Sequence, residues 1–98
     1  SIKKLLDLLK HPINGIRQRA RVELSEHSSD KVLAATEKWI KQFDPKAKED
    51  AHHFLEALWL YQRNDTKNEA LLDQVMNSPV GNARISAKTV KQFWDNNL

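Results

Sequence analysis

Three prolines at almost equal spacing constrain this chain more than any other feature of its sequence. Pro12, Pro45 and Pro79 lie 33 and 34 residues apart, and the 98 residues contain no other proline. Proline lacks the backbone donor that a helix needs and disfavours helical geometry at the residue before it, so each proline predicts a break between helices. A break that recurs at a fixed period is typical of a repeat built from helical hairpins.

The segments between these breaks have the periodicity of α-helices. In the most apolar one, residues 48–63, apolar side chains recur at three- and four-residue spacing on more than one side, so we expect a central helix buried between neighbours. Weaker stripes of the same period predict five other helices. The sequence therefore predicts about six helices in three antiparallel hairpins, at about residues 1–27, 29–63 and 66–97.

Polar residues beside the breaks predict where helices begin. Two of them precede a proline, an arrangement that places proline in the first helical turn, where its missing N–H costs little. A third has the spacing of a capping box with Glu69. Expected N-caps are Asn14, Asp44, Thr66 and Ser78, and the polar run Ser28-Ser29-Asp30 is expected to end the second helix and cap the third.

The first and third hairpins also align with each other. Four residues of the first recur 67 positions later, so that Leu5, Pro12, Arg17 and Ala20 correspond to Leu72, Pro79, Arg84 and Ala87. A second helix with an early arginine and a small alanine is typical of HEAT-like α-solenoids, whose hairpins bury their faces only against neighbours. The middle hairpin has a longer turn and no such arginine. We predict an all-α, HEAT-like α-α superhelix in a single domain, residues 1–98, with a non-solenoid helical bundle as the alternative.

Composition is consistent with a folded helical domain. Hydrophobic residues make up 40% of the chain, charged residues 30%, and the net charge is +3. Cysteine is absent, which excludes disulfides and thiolate metal sites, and no apolar run approaches a membrane span. Because no initiator methionine precedes the first apolar segment and no signal peptide is present, we expect a domain excised from a larger protein.

No constellation of catalytic residues can be placed, so these residues are not expected to form an enzyme's active site. The one metal-like cluster, a weak candidate, is His52, His53 and Glu56 on the central helix. A zinc site needs three or four converging ligands, and neither an HExxH motif nor a nearby fourth ligand is present. The alternative is structural: these side chains hydrogen-bond the turns of neighbouring hairpins, or Glu56 pairs with an arginine such as Arg17 or Arg84.

Two surfaces are candidates for binding a partner. On the central helix, Trp59 shares a face with polar residues including Arg63, and an exposed tryptophan there would suit a protein interface. The other two tryptophans, Trp39 and Trp94, are expected in the core, each with its indole N–H seeking an acceptor. The second surface is a basic helical face around Arg17 and Arg21.

That basic face makes nucleic-acid binding the alternative function. Phosphate contacts through Arg17 and Arg21 would make such binding strongly salt-dependent. Against it, acidic residues are interleaved, no aromatic stacking pattern accompanies the cations, and Arg19 can pair with Glu23 at i,i+4 spacing. A solvated charged face is therefore the expected state, and nucleic acid is a less favoured partner than protein.

Several longer segments resemble a known family. LLDLLKHPINGIRQRARVEL, VLAATEKWIKQFDP, HHFLEALWLYQ and EALLDQVMNSPVGNARISA resemble the HEAT-like region of large secreted bacterial dehydrogenase-like proteins. In these proteins a glucose/sorbosone dehydrogenase-like propeller comes before the repeats and a PVC-type c-haem domain after them. The most specific piece is residues 52–59, HHFLEALW, although Ala51 stands where the family often has an acidic residue.

The resemblance implies a non-catalytic scaffold or protein-interaction module within a periplasmic or membrane-associated oxidoreductase. Its partners would be neighbouring domains of the parent protein or another protein. The haem-attachment pattern C-x-x-C-H is absent from these residues, so the haem c and the sugar-oxidising chemistry that the resemblance implies would lie elsewhere in the parent. This segment is expected to hold no cofactor of its own, to insert into no membrane, and to lie in the periplasm or cell envelope.

Overall fold

The computed structural model describes all 98 residues and contains six α-helices and no β-strand, which confirms the predicted all-α class. A short 3₁₀ helix, Lys48–Asp50, precedes the fourth α-helix. No helix combines the length and the apolar character that a membrane span requires. The α-helices are α1 (Ile2–Leu8), α2 (Asn14–Leu24), α3 (Ser29–Ile40), α4 (Ala51–Arg63), α5 (Glu69–Met76) and α6 (Gly81–Asn97).

The chain divides into two compact units, residues 1–42 and residues 43–98. The N-terminal unit holds α1–α3 and the C-terminal unit holds α4–α6. The first and third predicted hairpins, α1–α2 and α5–α6, each lie within one unit. The second predicted hairpin has α3 in one unit and α4 in the other, so the pairing of these two helices and the single domain that depends on it stay predictions.

In the N-terminal unit α1 packs against both α2 and α3. The residues that fill this core are apolar and recur at helical spacing, which is why the three short helices hold together. Thr36 is the buried polar residue here, and its hydroxyl donates to the carbonyl of Val32 one turn earlier. The core consists of Leu5, Leu6, Leu9, Ala20, Leu24, Val32 and Trp39.

In the C-terminal unit α4 packs on α5 and α6, which also pack on each other. As its several apolar stripes predict, α4 is buried on more than one side, with eight of its thirteen residues buried. The small residues Ala83 and Ala87 are fully buried on α6, which lets the helices approach closely. The central position of α4 within its own unit agrees with the prediction for residues 48–63.

The two expected N-caps that precede proline, together with Asn14, do not cap their helices. The α2 helix starts at Asn14 and the α6 helix at Gly81, so each begins two residues after its proline rather than at it. The α4 helix begins later still, six residues after Pro45. The physical reason is that Asp44 and Ser78 use their side chains in the proline turns, as described below, whereas Asn14 is the first residue of α2 and its side-chain oxygen accepts from Arg17.

The expected capping box at the start of α5 is also absent. Asn68 is the N-cap, and its side-chain oxygen accepts from the N–H of Leu71 at 3.0 Å. Thr66 instead donates its hydroxyl to the carbonyl of Asn64. Both residues can cap a helix, and asparagine is the better N-cap.

Candidate functional site

The three proline turns share one hydrogen bond. In each, the side chain before the proline accepts from the backbone N–H of the residue after it. The three bonds join Ile13 N to His11 Nδ1 at 3.1 Å, Lys46 N to Asp44 Oδ1 at 2.9 Å, and Val80 N to Ser78 Oγ at 3.1 Å. Bonds of this kind satisfy a backbone donor that the broken helix leaves unpaired. The proline period in the sequence therefore corresponds to a repeated local structure.

A second bond recurs in the first and third turns. Arg17 Nη1 donates to the carbonyl of His11 at 2.6 Å, and Arg84 Nη1 donates to the carbonyl of Ser78 at 2.8 Å. Arg17 also donates through Nη2 to Asn14 Oδ1 at 3.2 Å. In both hairpins the guanidinium ties the second helix back to the residue before the proline, so the repeated arginine holds its own turn.

In the middle turn a side chain again joins the residue before the proline to the residue six positions later, but here the side chain accepts the hydrogen bond instead of donating it. Asp50, six residues after Asp44 just as Arg17 is six after His11, accepts the backbone N–H of Asp44 on Oδ2 at 2.9 Å. A carboxylate that accepts from N–H replaces a guanidinium that donates to C=O. The middle turn is therefore held by a carboxylate in place of the arginine that its sequence lacks.

These bonds change the interpretation of the predicted basic face. Arg17 is half-buried and its guanidinium holds the first turn, while Arg21 Nη1 donates to Gln18 Oε1 at 2.9 Å. The expected pair between Arg19 and Glu23 does not form, and neither side chain has a hydrogen bond or an ion pair. The N-terminal unit nevertheless carries nine of the 16 basic and five of the 13 acidic residues, a net charge of +4, against −1 for the C-terminal unit.

The candidate metal residues lie at the start of α4. His52 Nε2 is 2.8 Å from Glu56 Oε2, one turn away, and Glu56 is buried while the His52 side chain is 45% exposed. The ring of His53 packs against Phe43 with centroids 4.6 Å apart. No group of three or more histidine, aspartate or glutamate side chains is arranged to hold a metal ion. Arg84, one of the expected partners of Glu56, binds Ser78 instead.

Trp59 and Arg63, the other predicted interaction residues, lie on the later turns of α4. Trp59 is half-buried, and its ring meets the edge of His52 in a T-shaped contact with centroids 6.3 Å apart. Arg63 is exposed in the last turn, where a cation interacts favourably with the helix dipole. A half-buried tryptophan keeps part of its ring surface open, and its role in a protein interface stays a prediction.

The other tryptophans are in the core, as expected. Trp39 is 4% exposed and donates through Nε1 to Asp7 Oδ1 at 3.1 Å, and Lys3 Nζ donates to the other carboxylate oxygen at 3.2 Å. Partial burial acts to raise the pKa of Asp7, but the hydrogen bonds from Lys3 and Trp39 outweigh it, and the pKa is lowered from 3.8. Trp94 is 2% exposed and its indole N–H has no hydrogen-bond partner.

A concave surface, called the first-hairpin groove below, lies between α1 and α2 with a volume of about 450 Å³. Leu8 is 40% exposed and Ile13 56% exposed, so its apolar lining faces solvent. The sequence patterns did not predict this surface. Its lining includes Leu5, Leu8, Ile13, Ile16, Arg19 and Glu23.

Comparison of the chain with protein families, with characterised proteins and with solved structures finds no match. The resemblance drawn from the sequence therefore stays a prediction.

Proposed function

We propose that this chain is a non-catalytic scaffold of HEAT-like helical hairpins that holds protein partners together. The observation that carries this proposal is the repeated turn geometry. Three turns use the same side-chain bond around proline, and two of them add the same arginine bond. Repeated hairpins build extended binding surfaces, and their usual role is to position other proteins.

The charged and aromatic residues support a binding role more than a catalytic one. The buried carboxylate of Glu56 lies 2.8 Å from Nε2 of His52, so these two side chains are engaged with each other. Catalytic sites are usually concave and bring several titratable groups together. The first-hairpin groove is concave but mainly apolar, as protein-binding surfaces are at their centres.

By resemblance, the parent is a periplasmic or membrane-associated protein with a dehydrogenase-like propeller and a c-type haem domain. Sequencing the gene on either side of this segment tests that part. We expect a propeller upstream and a C-x-x-C-H pattern downstream, and flanks with neither would remove the oxidoreductase connection while leaving the scaffold role untouched.

Cross-linking of the protein in its native cells, followed by mass spectrometry, tests the scaffold role. We expect the exposed lysines of both units, such as Lys4 and Lys88, to give reproducible cross-links to defined positions of another domain or protein. Denatured extract is the control. Cross-links confined to this segment would contradict a scaffold role.

The net charge of +4 on the N-terminal unit favours nucleic-acid binding as the second candidate. Arg17 is a poor phosphate ligand because its guanidinium holds the first turn, so the contacts would come from Arg19 and the exposed lysines. Retention on heparin and on duplex DNA at about 50 mM salt tests this, since phosphate contacts are strong at low salt. Elution below that concentration would exclude nucleic acid as the partner.

A further inference from the structure

The second helix of the first hairpin begins with the pair Asn14-Gly15, and the third hairpin has the same two residue types in reverse order. At the 67-residue offset, Gly81 corresponds to Asn14 and Asn82 to Gly15. Asn14 is the only asparagine of the chain that precedes a glycine, whereas Asn82 precedes Ala83. The backbone nitrogen after an asparagine can attack the side-chain amide, and glycine, which has no side chain, obstructs that attack least.

We propose that Asn14 is a site of spontaneous deamidation, a covalent modification that the chain carries out on itself. The backbone nitrogen of Gly15 bonds to Cγ of Asn14, the bond from Cγ to the side-chain nitrogen breaks, and that nitrogen leaves as ammonia with the proton of the backbone N–H. Water then hydrolyses the resulting cyclic imide. Opening at one carbonyl gives aspartate, and opening at the other gives isoaspartate, in which the main chain runs through the side-chain carbon.

The attacking nitrogen is available because it lies in the first turn of α2. The first N–H groups of a helix have no acceptor within it, and the N–H of Gly15 has none elsewhere in the chain. Gly15 is exposed, and no atom beyond its chain neighbours and its own helix backbone lies within 4 Å of the place where a Cβ would stand. Neither a hydrogen bond nor a neighbouring side chain therefore shields this nitrogen.

The amide of Asn14 is also accessible. The residue is exposed and its amide nitrogen makes no hydrogen bond, so the leaving group is not held by the protein. The amide oxygen accepts from Nη2 of Arg17 at 3.2 Å. A guanidinium at this oxygen polarises the carbonyl and stabilises the negative charge that develops there during the attack.

Other asparagines of the chain hold their side-chain amides in place. In Asn64, Asn77 and Asn97 the amide nitrogen donates to the backbone carbonyl four residues earlier, at 2.7, 2.8 and 2.8 Å. Asn68 caps α5 with its side-chain oxygen. A leaving nitrogen that donates such a bond must first give it up, so these sites are less reactive than Asn14.

The start of α2 is able to open, as the reaction requires. Helical dihedral angles do not align the nitrogen of Gly15 with Cγ of Asn14, so the first turn must unwind before the attack. The N-cap residue is Ile13, and no side chain caps this end of the helix. Helix ends without a side-chain cap are less stable, and fraying ends open at little cost in free energy.

The two products affect the first turn differently. Aspartate places a negative charge at the N-terminus of α2, beside the guanidinium of Arg17, where both the helix dipole and the cation favour it. Isoaspartate lengthens the main chain between Ile13 and Gly15, and so displaces Arg17 from the carbonyl of His11, to which it donates at 2.6 Å. The modification therefore acts on the bond that holds the first turn.

Incubation of the folded 98-residue chain at neutral pH in water labelled with a heavy oxygen isotope, followed by peptide mapping with mass spectrometry, tests the proposal. We expect Asn14 to lose ammonia and to gain labelled oxygen, and chromatography separates aspartate from isoaspartate. The rate should exceed that at Asn82, the internal control, at least about tenfold, equivalent to about 1.4 kcal/mol in the barrier. Gly15→Ala, which has room for the added Cβ, should slow the reaction at Asn14 by a similar factor.

A short peptide with the sequence of residues 10–18 gives the rate without the fold. The folded chain should react no more than about a hundredfold more slowly than this peptide, which corresponds to an opening cost below about 2.7 kcal/mol. A slower reaction would show that α2 protects Asn14, and would overturn the proposal. Equal rates at Asn14 and Asn82, or an unchanged rate in Gly15→Ala, would also overturn it. Circular dichroism verifies that the variant folds.

Discussion

The first and third hairpins hold their turns with the same kinds of hydrogen bond but bury different faces of their helices. Both use the side chain before proline to hold the next N–H, and both tie the second helix back with an arginine. Both also bury the alanine one turn after that arginine, Ala20 or Ala87. Beyond these positions they diverge, because burial depends on which helix lies alongside. Local turn chemistry therefore recurs along the chain, whereas each outer face is adapted to its own neighbour.

Exchanging one residue between the two hairpins is expected to have the largest effect. Val90→Glu places in the third hairpin the residue that the first has at that position. Val90 is 1% exposed on α6, which packs on both α4 and α5, so a carboxylate there would lose its hydration without a partner. We expect the free energy of unfolding to fall by about 4 kcal/mol or more. Urea denaturation monitored by circular dichroism measures it.

The reciprocal change is the control. Glu23→Val removes an unpaired charge from an exposed site in the first-hairpin groove, so we expect a change within about 0.5 kcal/mol. Equal effects of the two substitutions would show that the third hairpin's face is no better covered in solution than the first.

Replacing each of the two turn arginines should lower the free energy of unfolding by an intermediate amount, and by more in the first hairpin than in the third. Arg17→Ala removes the bond to the His11 carbonyl and a second one to Asn14 from a half-buried side chain, and we expect a loss of about 2 kcal/mol. Arg84→Ala removes one bond from an exposed side chain and should cost about 1 kcal/mol. Thermal and urea unfolding of each variant measure the difference.

Arg19→Ala is the matched control for these arginines, because Arg19 is exposed on α2 and makes no bond. We expect Arg19→Ala to change the free energy of unfolding by no more than about 0.5 kcal/mol. A cost as large as that of Arg17→Ala would mean that positive charge on α2, rather than the bond to the turn, stabilises the hairpin. Arg17→Lys distinguishes the contribution of the charge from that of the hydrogen bonds, because lysine keeps the positive charge but lacks the planar guanidinium group.

The sequence was sufficient for the parts of the fold that depend on periodicity. Proline spacing and apolar stripes predicted the six helices, and the 67-residue offset marked Arg17 and Arg84 as equivalent. Their role was missed, because a donor six residues from its acceptor has no helical spacing to reveal it. The expected caps Asp44 and Ser78 were assigned to helix starts for a related reason: a side chain that can cap a helix can also hold a turn.

The first-hairpin groove could not be found from the first hairpin alone. Leu8 and Ile13 follow the same apolar pattern as core residues, and periodicity does not tell an apolar face that is covered from one that is open. The available signal was in the comparison of hairpins, where Glu23 replaces Val90 on an otherwise apolar face. The candidate metal residues show a different limit of sequence reasoning. Helical spacing correctly indicated that His52 lies beside Glu56, but it did not show that the ring of His53 packs on Phe43.

The smallest expected effect concerns Asp7, which joins α1 to α3 within the N-terminal unit through Trp39. Desolvation acts to raise its pKa, but the bonds from Lys3 and Trp39 lower the pKa below 3.8, so the folded state favours the carboxylate. That stabilisation is present above the unfolded pKa and is lost as the pH falls through the folded one. Because the side chain is 38% exposed, solvent screens it, and we expect Asp7→Asn to cost only about 0.5 kcal/mol at pH 7.

Urea unfolding at pH 7 and at pH 2 measures this contribution, and the difference between Asp7→Asn and the unsubstituted protein should disappear at the lower pH. Asp95→Asn in the C-terminal unit is the control. The hydrogen bond from Lys91 lowers the pKa of Asp95 as well, but this pair is fully exposed and joins residues of one helix only, so we expect no measurable change at either pH. A pH-independent cost of Asp7→Asn would instead assign the effect to the packing of Trp39, because packing persists when the carboxyl is protonated.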